Sequence, residues 1–341
     1  MANGVDFNDF YRVTEPLERW DQWCAAWSAA GAEHACLAEE AEREGRYTSA
    51  GEHYVQAAMA YHFGKFMFFQ SPKEQRAAHE QTVGLYDRGL PYYEYPGERV
   101  EIPYEGDAVI PGILRRPPHV PRPPLVIIVP GLDSVKEEMH VYGNDFLRRG
   151  MATLAIDGPG QGELEFDHAM RPDYEVAIGC VLDWLDGRRD VDSGRVGLLG
   201  VSLGGYYGMR AAARESRLRA VIALATGYHL ANYFDTVPIL TREAMIHRLH
   251  ASGPDEARER LRDFDLTDAV RALKARVLII MGRQDRVFPA ADTAQMAKDA
   301  GEMAELVMFE EGNHVCNNIP YKYRPLQADW MKRQLSSNGG T

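Results

Sequence analysis

The sequence predicts an α/β fold, a mostly parallel sheet with helices on both faces, preceded by an all-helical N-terminal region. Short apolar runs at 125–129, 151–156, 195–200, 218–225, 276–281 and 304–309 are continuous rather than alternating. That is the texture of parallel strands buried on both sides. Helical segments near 136–149, 172–187, 203–215, 290–300 and 322–335 separate most of these runs. From the start to about residue 95 no strand-like alternation occurs. The expected division is therefore a helical cap domain over 1–95 and an α/β domain over 96–341.

In chain order, Leu17, Trp20, Trp23 and Trp27 fall three or four apart and share one helix face. Ser49 and Glu52 fit a capping box before an apolar-rich helix over 54–69. Ser71-Pro72-Lys73-Glu74 is a stronger start, with a cap, a first-turn proline and a glutamate, leading a helix to about Leu90. These give roughly four helices. A Tyr/Pro-rich linker at 92–96 precedes a β-hairpin turning at Glu105-Gly106-Asp107. Ser134 and Glu137 form a second capping box before the helix at 136–149. The interval 226–274 is too long for a simple crossover and reads as a helical flap over the sheet's edge.

Composition narrows the function. Against 38 Lys+Arg stand 50 Asp+Glu, a formal charge of −12, with no basic run, which argues against a nucleic-acid partner. No apolar stretch approaches the ~18–20 residues of a membrane helix, and the first twenty residues lack the order of a secretion signal. Cys24, Cys36, Cys180 and Cys316 are scattered without a CxxC pair, so neither a disulfide framework nor a structural zinc site is expected. The expectation is a cytoplasmic enzyme or binding protein for a small molecule, without metal or organic cofactor.

Gly200-Val201-Ser202-Leu203-Gly204 is a GxSxG match between a strand-like run and a helix-like run. That strand, sharp turn and helix is the setting of a nucleophile elbow, in which flanking glycines let the backbone fold tightly and present a hydroxyl. The plainer alternative is a serine that caps a helix. A serine needs a base, and His314 follows the last strand-like run, while the other histidines lie in the helical region, before the elbow or in the flap. The imidazole needs a carboxylate. Asp285 lies in the loop after the run at 276–281, whereas Asp292 falls inside the next helix. The chain order Ser202, Asp285, His314 is that of the α/β-hydrolase fold. The backbone N–H groups of Leu203, after the nucleophile, and Leu132, in the loop after the first parallel strand, are the oxyanion donors this order implies. The segment Asp157-Gly158-Pro159-Gly160-Gln161-Gly162 fits neither a P-loop nor a dinucleotide fingerprint and is expected to line the pocket. Cys316 reads as a small buried residue.

With these residues placed, the chain resembles the α/β-hydrolase group of dihydroxypseudooxynicotine hydrolase and the fermentation–respiration switch-type proteins. The likeness runs over nearly the whole length, through Gly45-Arg46-Tyr47-Thr48-Ser49-Ala50, Ala60-Tyr61-His62-Phe63-Gly64-Lys65-Phe66, Val100-Glu101-Ile102-Pro103-Tyr104-Glu105-Gly106, and Gly131-Leu132-Asp133-Ser134-Val135-Lys136-Glu137-Glu138. The resemblance implies a helical domain packed over the hydrolase core with the substrate between them, and a homodimer. It implies cleavage of an ester or a ketone-adjacent C–C bond, or the shortening of a polyketide. It also implies an extra acidic residue after the elbow strand in the nicotine-pathway branch. Here Val237 lies near that position and Asp235 is the nearest carboxylate.

The expected reaction is attack of Ser202 on a carbonyl of an aromatic or polyketide-type metabolite, followed by hydrolysis of the acyl-enzyme. The alternatives are a lyase that uses the same three residues to eliminate acetate from an acetylated polyketide, and a silent ligand-binding protein on a hydrolase fold.

Overall fold

The structure, a computed structural model, describes residues 4–336. Four α-helices come first, α1 (Phe7–Thr14), α2 (Trp23–Arg43), α3 (Tyr47–Lys65) and α4 (Pro72–Gly89). Trp20, Trp23 and Trp27 do form one aromatic face, with ring centroids 4.8 and 5.7 Å apart in succession. The start at Ser71 is as expected, its Oγ accepting from the Glu74 N–H at 3.4 Å.

The capping box at Ser49 does not form, because α3 already begins at Tyr47. The chain leaves α2 by a tight turn with Gly45 at φ +75°, the Arg46 N–H reaching the Ala41 carbonyl at 2.8 Å and the Gly45 N–H the Glu42 carbonyl at 3.1 Å. This Schellman pairing starts the next helix two residues later and leaves Ser49 inside its first turn. The helix also stops short of the expected 69, since the backbone turns at Met67 with φ +51°.

A hairpin of β1 (Gly97–Pro103) and β2 (Val109–Arg115) opens the sheet, antiparallel about Gly106 at φ +62°. It continues with β3 (Pro124–Val129), β4 (Ala152–Ile156), β5 (Asp192–Val201), β6 (Leu218–Leu224), β7 (Arg276–Gly282) and β8 (Ala304–Phe309). The spatial order is β1-β2-β4-β3-β5-β6-β7-β8. Every pairing from β4 to β8 is parallel. Parallel strands need crossovers, and these carry α5 (His140–Leu147), α6 (Glu175–Asp186), α7 (Leu203–Arg214) and later helices. Between β6 and β7 lie α8 (Ile239–Arg248), α9 (Pro254–Arg260) and α10 (Thr267–Arg271), and α11 (Ala290–Ala300) and α12 (Pro320–Ser336) complete the layers.

The helix expected from 136 begins only at His140, and Ser134 does not cap it. Asp157, twenty-one residues on, takes the Lys136 N–H at 2.8 Å instead, and residues 135–140 fold as successive tight turns. A long-range carboxylate here displaces the local cap. Apolar burial forms one large cluster around the sheet, which includes the segment between β6 and β7. A second cluster fills the helical region and touches the sheet through Ile113.

Candidate active site

Strand β5 ends at Val201, and Ser202 takes φ 56°, ψ −114° before α7 begins at Leu203. Such a conformation is costly for a residue with a Cβ and persists because the surroundings leave no room for another. A Cβ on Gly200 would lie 1.9 Å from the Gly204 carbonyl oxygen, and one on Gly204 would lie 2.3 Å from that of Val129. The glycines thus let the turn close against β3, and the hydroxyl stands at the carboxyl edge of the sheet.

The Ser202 hydroxyl meets His314 Nε2 at 2.9 Å. On the other side of the ring, His314 Nδ1 lies 2.8 Å from Asp285 Oδ2. A carboxylate at that nitrogen fixes it as the N–H donor and leaves Nε2 as the acceptor for the hydroxyl. The remaining oxygen of Asp285 accepts from the backbone amides of Val287 at 2.7 Å and Phe288 at 3.0 Å. The Asp285 side chain is fully buried while the imidazole is 28% exposed. The two loops meet closely because β7 ends in Gly282, whose Cβ would sit 2.3 Å from the Gly312 carbonyl oxygen. After the histidine the chain turns through two left-handed residues, Val315 and Cys316.

Ser202 and His314 border a cavity of about 150 Å³ between the sheet edge, the helical region and the segment after β6. Leu132 and Leu203 line it beside Ser202, Phe66 and Met67 reach it from the end of α3, and Leu230 and Met245 cover it. A space of that size matches a benzene-sized group.

Several expectations are corrected. The 157–162 loop does not border the cavity but supports its wall from behind, with Gln161 donating to the Pro130 and Gly131 carbonyls at 2.6 and 3.2 Å. Ser134, expected at a helix cap, lines the cavity instead, together with Asp133. Asp235 pairs with Arg258 at 2.8 Å on the surface, and neither it nor the buried Val237 borders the cavity. Cys316 is buried as expected, and burial pushes its thiol up to about 12, far from reactive.

The sequence reading missed the polar groups beneath the cavity. Asp133 is buried with one carboxylate oxygen unpartnered, and burial pushes its carboxyl up to about 7. Arg248, near the end of α8, pairs with Glu165 at 2.6 Å, and Glu165 pairs with Lys65 of α3 at 3.0 Å. Burial alone would raise Glu165, but Arg248 and then Lys65 hold it low, while burial lowers Lys65, which shares its one carboxylate with Arg248. Residues so far apart in the chain carry no local spacing signal. Among the described residues no group of three or more His, Cys, Asp or Glu could hold a metal ion, and no helix is long and apolar enough to cross a membrane.

The esterase FrsA-like family matches residues 14–284. The chain belongs to this family of α/β-hydrolases. It is similar to 2,6-dihydropseudooxynicotine hydrolase of Paenarthrobacter nicotinovorans, with 32% identity over 97% of this chain and 89% of that one. A crystal structure of the 2,6-dihydroxy-pseudo-oxynicotine hydrolase superposes with a TM-score of 0.91, at 29% identity, over 98% of this chain and 94% of the other. The 20-hydroxy-prefusarin hydrolase of Gibberella moniliformis is 35% identical over 60% of this chain, which spans only about half (51%) of that fungal relative. The family member described here is therefore a hydrolase enzyme with an N-terminal helical region.

Proposed function

We propose that Ser202 is the nucleophile of this hydrolase, His314 its general base and Asp285 the group that orients the base. The observation that carries this reading is the unbroken hydrogen-bond chain of 2.9 and 2.8 Å from hydroxyl to carboxylate at the cavity wall. As the Ser202 oxygen bonds to the substrate carbonyl carbon, its proton passes to His314 Nε2, and Asp285 stabilises the imidazolium. The carbonyl oxygen gains the negative charge, which the amides of Leu132 and Leu203 and the N-terminal end of α7 stabilise. His314 then protonates the leaving group, and water, activated by the same imidazole, hydrolyses the acyl-enzyme.

The substrate is an ester, or a ketone whose adjacent C–C bond breaks, in a small aromatic or polyketide-type metabolite. The apolar rim of Phe66, Met67, Leu230 and Met245 supports a largely apolar substrate, and the names of the two relatives above are in keeping with metabolite chemistry. The chain is proposed to act as a homodimer, which sedimentation velocity would detect.

The test is Ser202→Ala. Turnover of para-nitrophenyl acetate should fall by on the order of 10⁶, and labelling by a fluorophosphonate should vanish. Undiminished turnover would overturn the reading. Product analysis distinguishes the lyase, which leaves acetate and a new double bond.

A further inference from the structure

The Gly-rich loop at 157–162 has no part in the chemistry above, yet its one side-chain amide is 1% exposed and makes four hydrogen bonds. Gln161 Nε2 donates to the carbonyls of Pro130 at 2.6 Å and Gly131 at 3.2 Å. Its Oε1 accepts from the Tyr174 hydroxyl at 2.6 Å and the Gly158 N–H at 3.3 Å, which fixes which end of the amide faces which way. The loop can wrap this tightly only with glycine at its turns. A Cβ on Gly158 would lie 2.1 Å from the Tyr174 oxygen, and one on Gly162, at φ +47°, would lie 1.9 Å from Asp157.

The Gly131 carbonyl belongs to the same peptide unit as the Leu132 N–H. All peptide bonds described are trans, so the two groups point in opposite directions. A hydrogen bond that pulls the carbonyl toward Gln161 turns the N–H away from it. Gly131 itself abuts the nucleophile, since a Cβ there would lie 3.2 Å from Ser202 Cβ. On the following peptide unit, Arg248 Nε donates to the Leu132 carbonyl at 3.1 Å, and the guanidinium is anchored by Glu165 and, through it, Lys65. Both peptide planes that flank Leu132 are thus held by buried side chains from other parts of the chain.

We propose that Gln161 and Arg248 are positioning residues that aim the Leu132 amide at the developing oxyanion. The inference rests on the serine-hydrolase reading and adds to it the groups that build one half of the oxyanion site. A preorganised donor needs no reorientation as charge develops, and this is the source of its effect.

The decisive variant is Gln161→Glu, which keeps shape and the acceptor for Tyr174 but, once ionised, sets carboxylate oxygen against two carbonyl oxygens. The readouts are kcat and KM for para-nitrophenyl acetate and the rate of fluorophosphonate labelling. In labelling, the Ser202 Oγ–P bond forms as the P–F bond breaks, fluoride leaves, and the serine proton passes to His314. We expect kcat and labelling to fall together, approaching the roughly 10²–10³ that loss of one oxyanion donor costs, with KM little changed. The deficit relative to wild type should shrink as pH falls, because a protonated carboxyl can again donate to the carbonyls. A purely structural role would instead lower the fraction of protein that labels and leave the rate constant of the labelled fraction unchanged. Tyr174→Phe, which removes only the hydroxyl that orients Gln161 and keeps the ring stacked on Tyr207 at 3.9 Å, should slow labelling in the same direction. That variant decides the matter if Gln161→Glu does not fold. Wild-type rates with a parallel pH profile would overturn the positioning role alone. A wild-type protein that no fluorophosphonate labels would remove the serine reading and this inference with it.

Discussion

Asp133 carries the clearest charge anomaly near the cavity. Burial pushes its carboxyl from 3.8 up to about 7, Arg248 pulling it back and Glu165 adding to the rise. Between those values the folded protein holds a proton that the unfolded chain has released. The folded state therefore loses stability as pH rises from about 4 through about 7, and no more above that. At about 1.36 kcal/mol per pH unit, the upper bound of the loss is about 4 kcal/mol. Asp133→Asn removes the titration, so the variant should gain on wild type in urea unfolding at pH 8 relative to pH 5. Equal differences at the two pH values would show that Asp133 titrates normally. Asp285 contrasts with it. Each of its oxygens has a hydrogen-bond donor, one the imidazole and the other two backbone amides, whereas one oxygen of Asp133 has none.

At the scale of elements, the turn from β5 into α7 is decided by sterics. The strained φ of Ser202 exists because Gly200, Gly204 and the end of β3 share one small volume. In Gly204→Ala the new methyl would meet main-chain oxygen of Val129 and Pro130, at 2.3 and 2.6 Å, rather than a side chain that can move aside. Overpacking against backbone costs about 1–3 kcal/mol, and here the upper end. The variant should show a lower urea midpoint and weaker fluorophosphonate labelling, both measurable on the same preparation. A stable, fully labelled Gly204→Ala protein would mean that β3 and α7 separate more easily than their contact implies. Elements whose signals are local, such as the Ser71 cap and the turn at Gly106, match the sequence reading. Those at Ser49 and Ser134 do not, since a Schellman turn and a distant aspartate supply the partners first.

Across the whole molecule, the helical region and the sheet are joined by buried charge as well as by apolar contact. Lys65 from α3, Glu165 from the loop after β4 and Arg248 from α8 form a row of one anion between two cations, at 1%, 4% and 5% exposure. His62 adds a second link to Glu138 at 3.2 Å. Removing the shared anion should be worse than removing one cation. Glu165→Gln leaves two uncompensated cations and is expected to cost about 3–5 kcal/mol, whereas Lys65→Met leaves Glu165 paired with Arg248 and should cost less. Urea unfolding of both variants, followed by tryptophan fluorescence, tests this order. Three of the five tryptophans lie in the helical region, at 20, 23 and 27, so the signal reports chiefly on the part that would detach.

By itself the sequence determined the layering and the strand and helix order, which depend on residues adjacent in the chain, and it singled out Ser202, Asp285 and His314 as candidates from their places at strand ends and their order along the chain. Continuous apolar runs specify buried strands, and a serine between glycines at a strand end specifies its own turn. Tertiary structure alone decided what stands behind Leu132, which carboxylates face the cavity, and how the helical region is fastened to the sheet. Gln161, Arg248, Glu165 and Asp133 act through partners about thirty to more than one hundred residues away. Burial makes their charges and hydrogen bonds consequential, and burial is a property of the folded chain rather than of any short stretch of it.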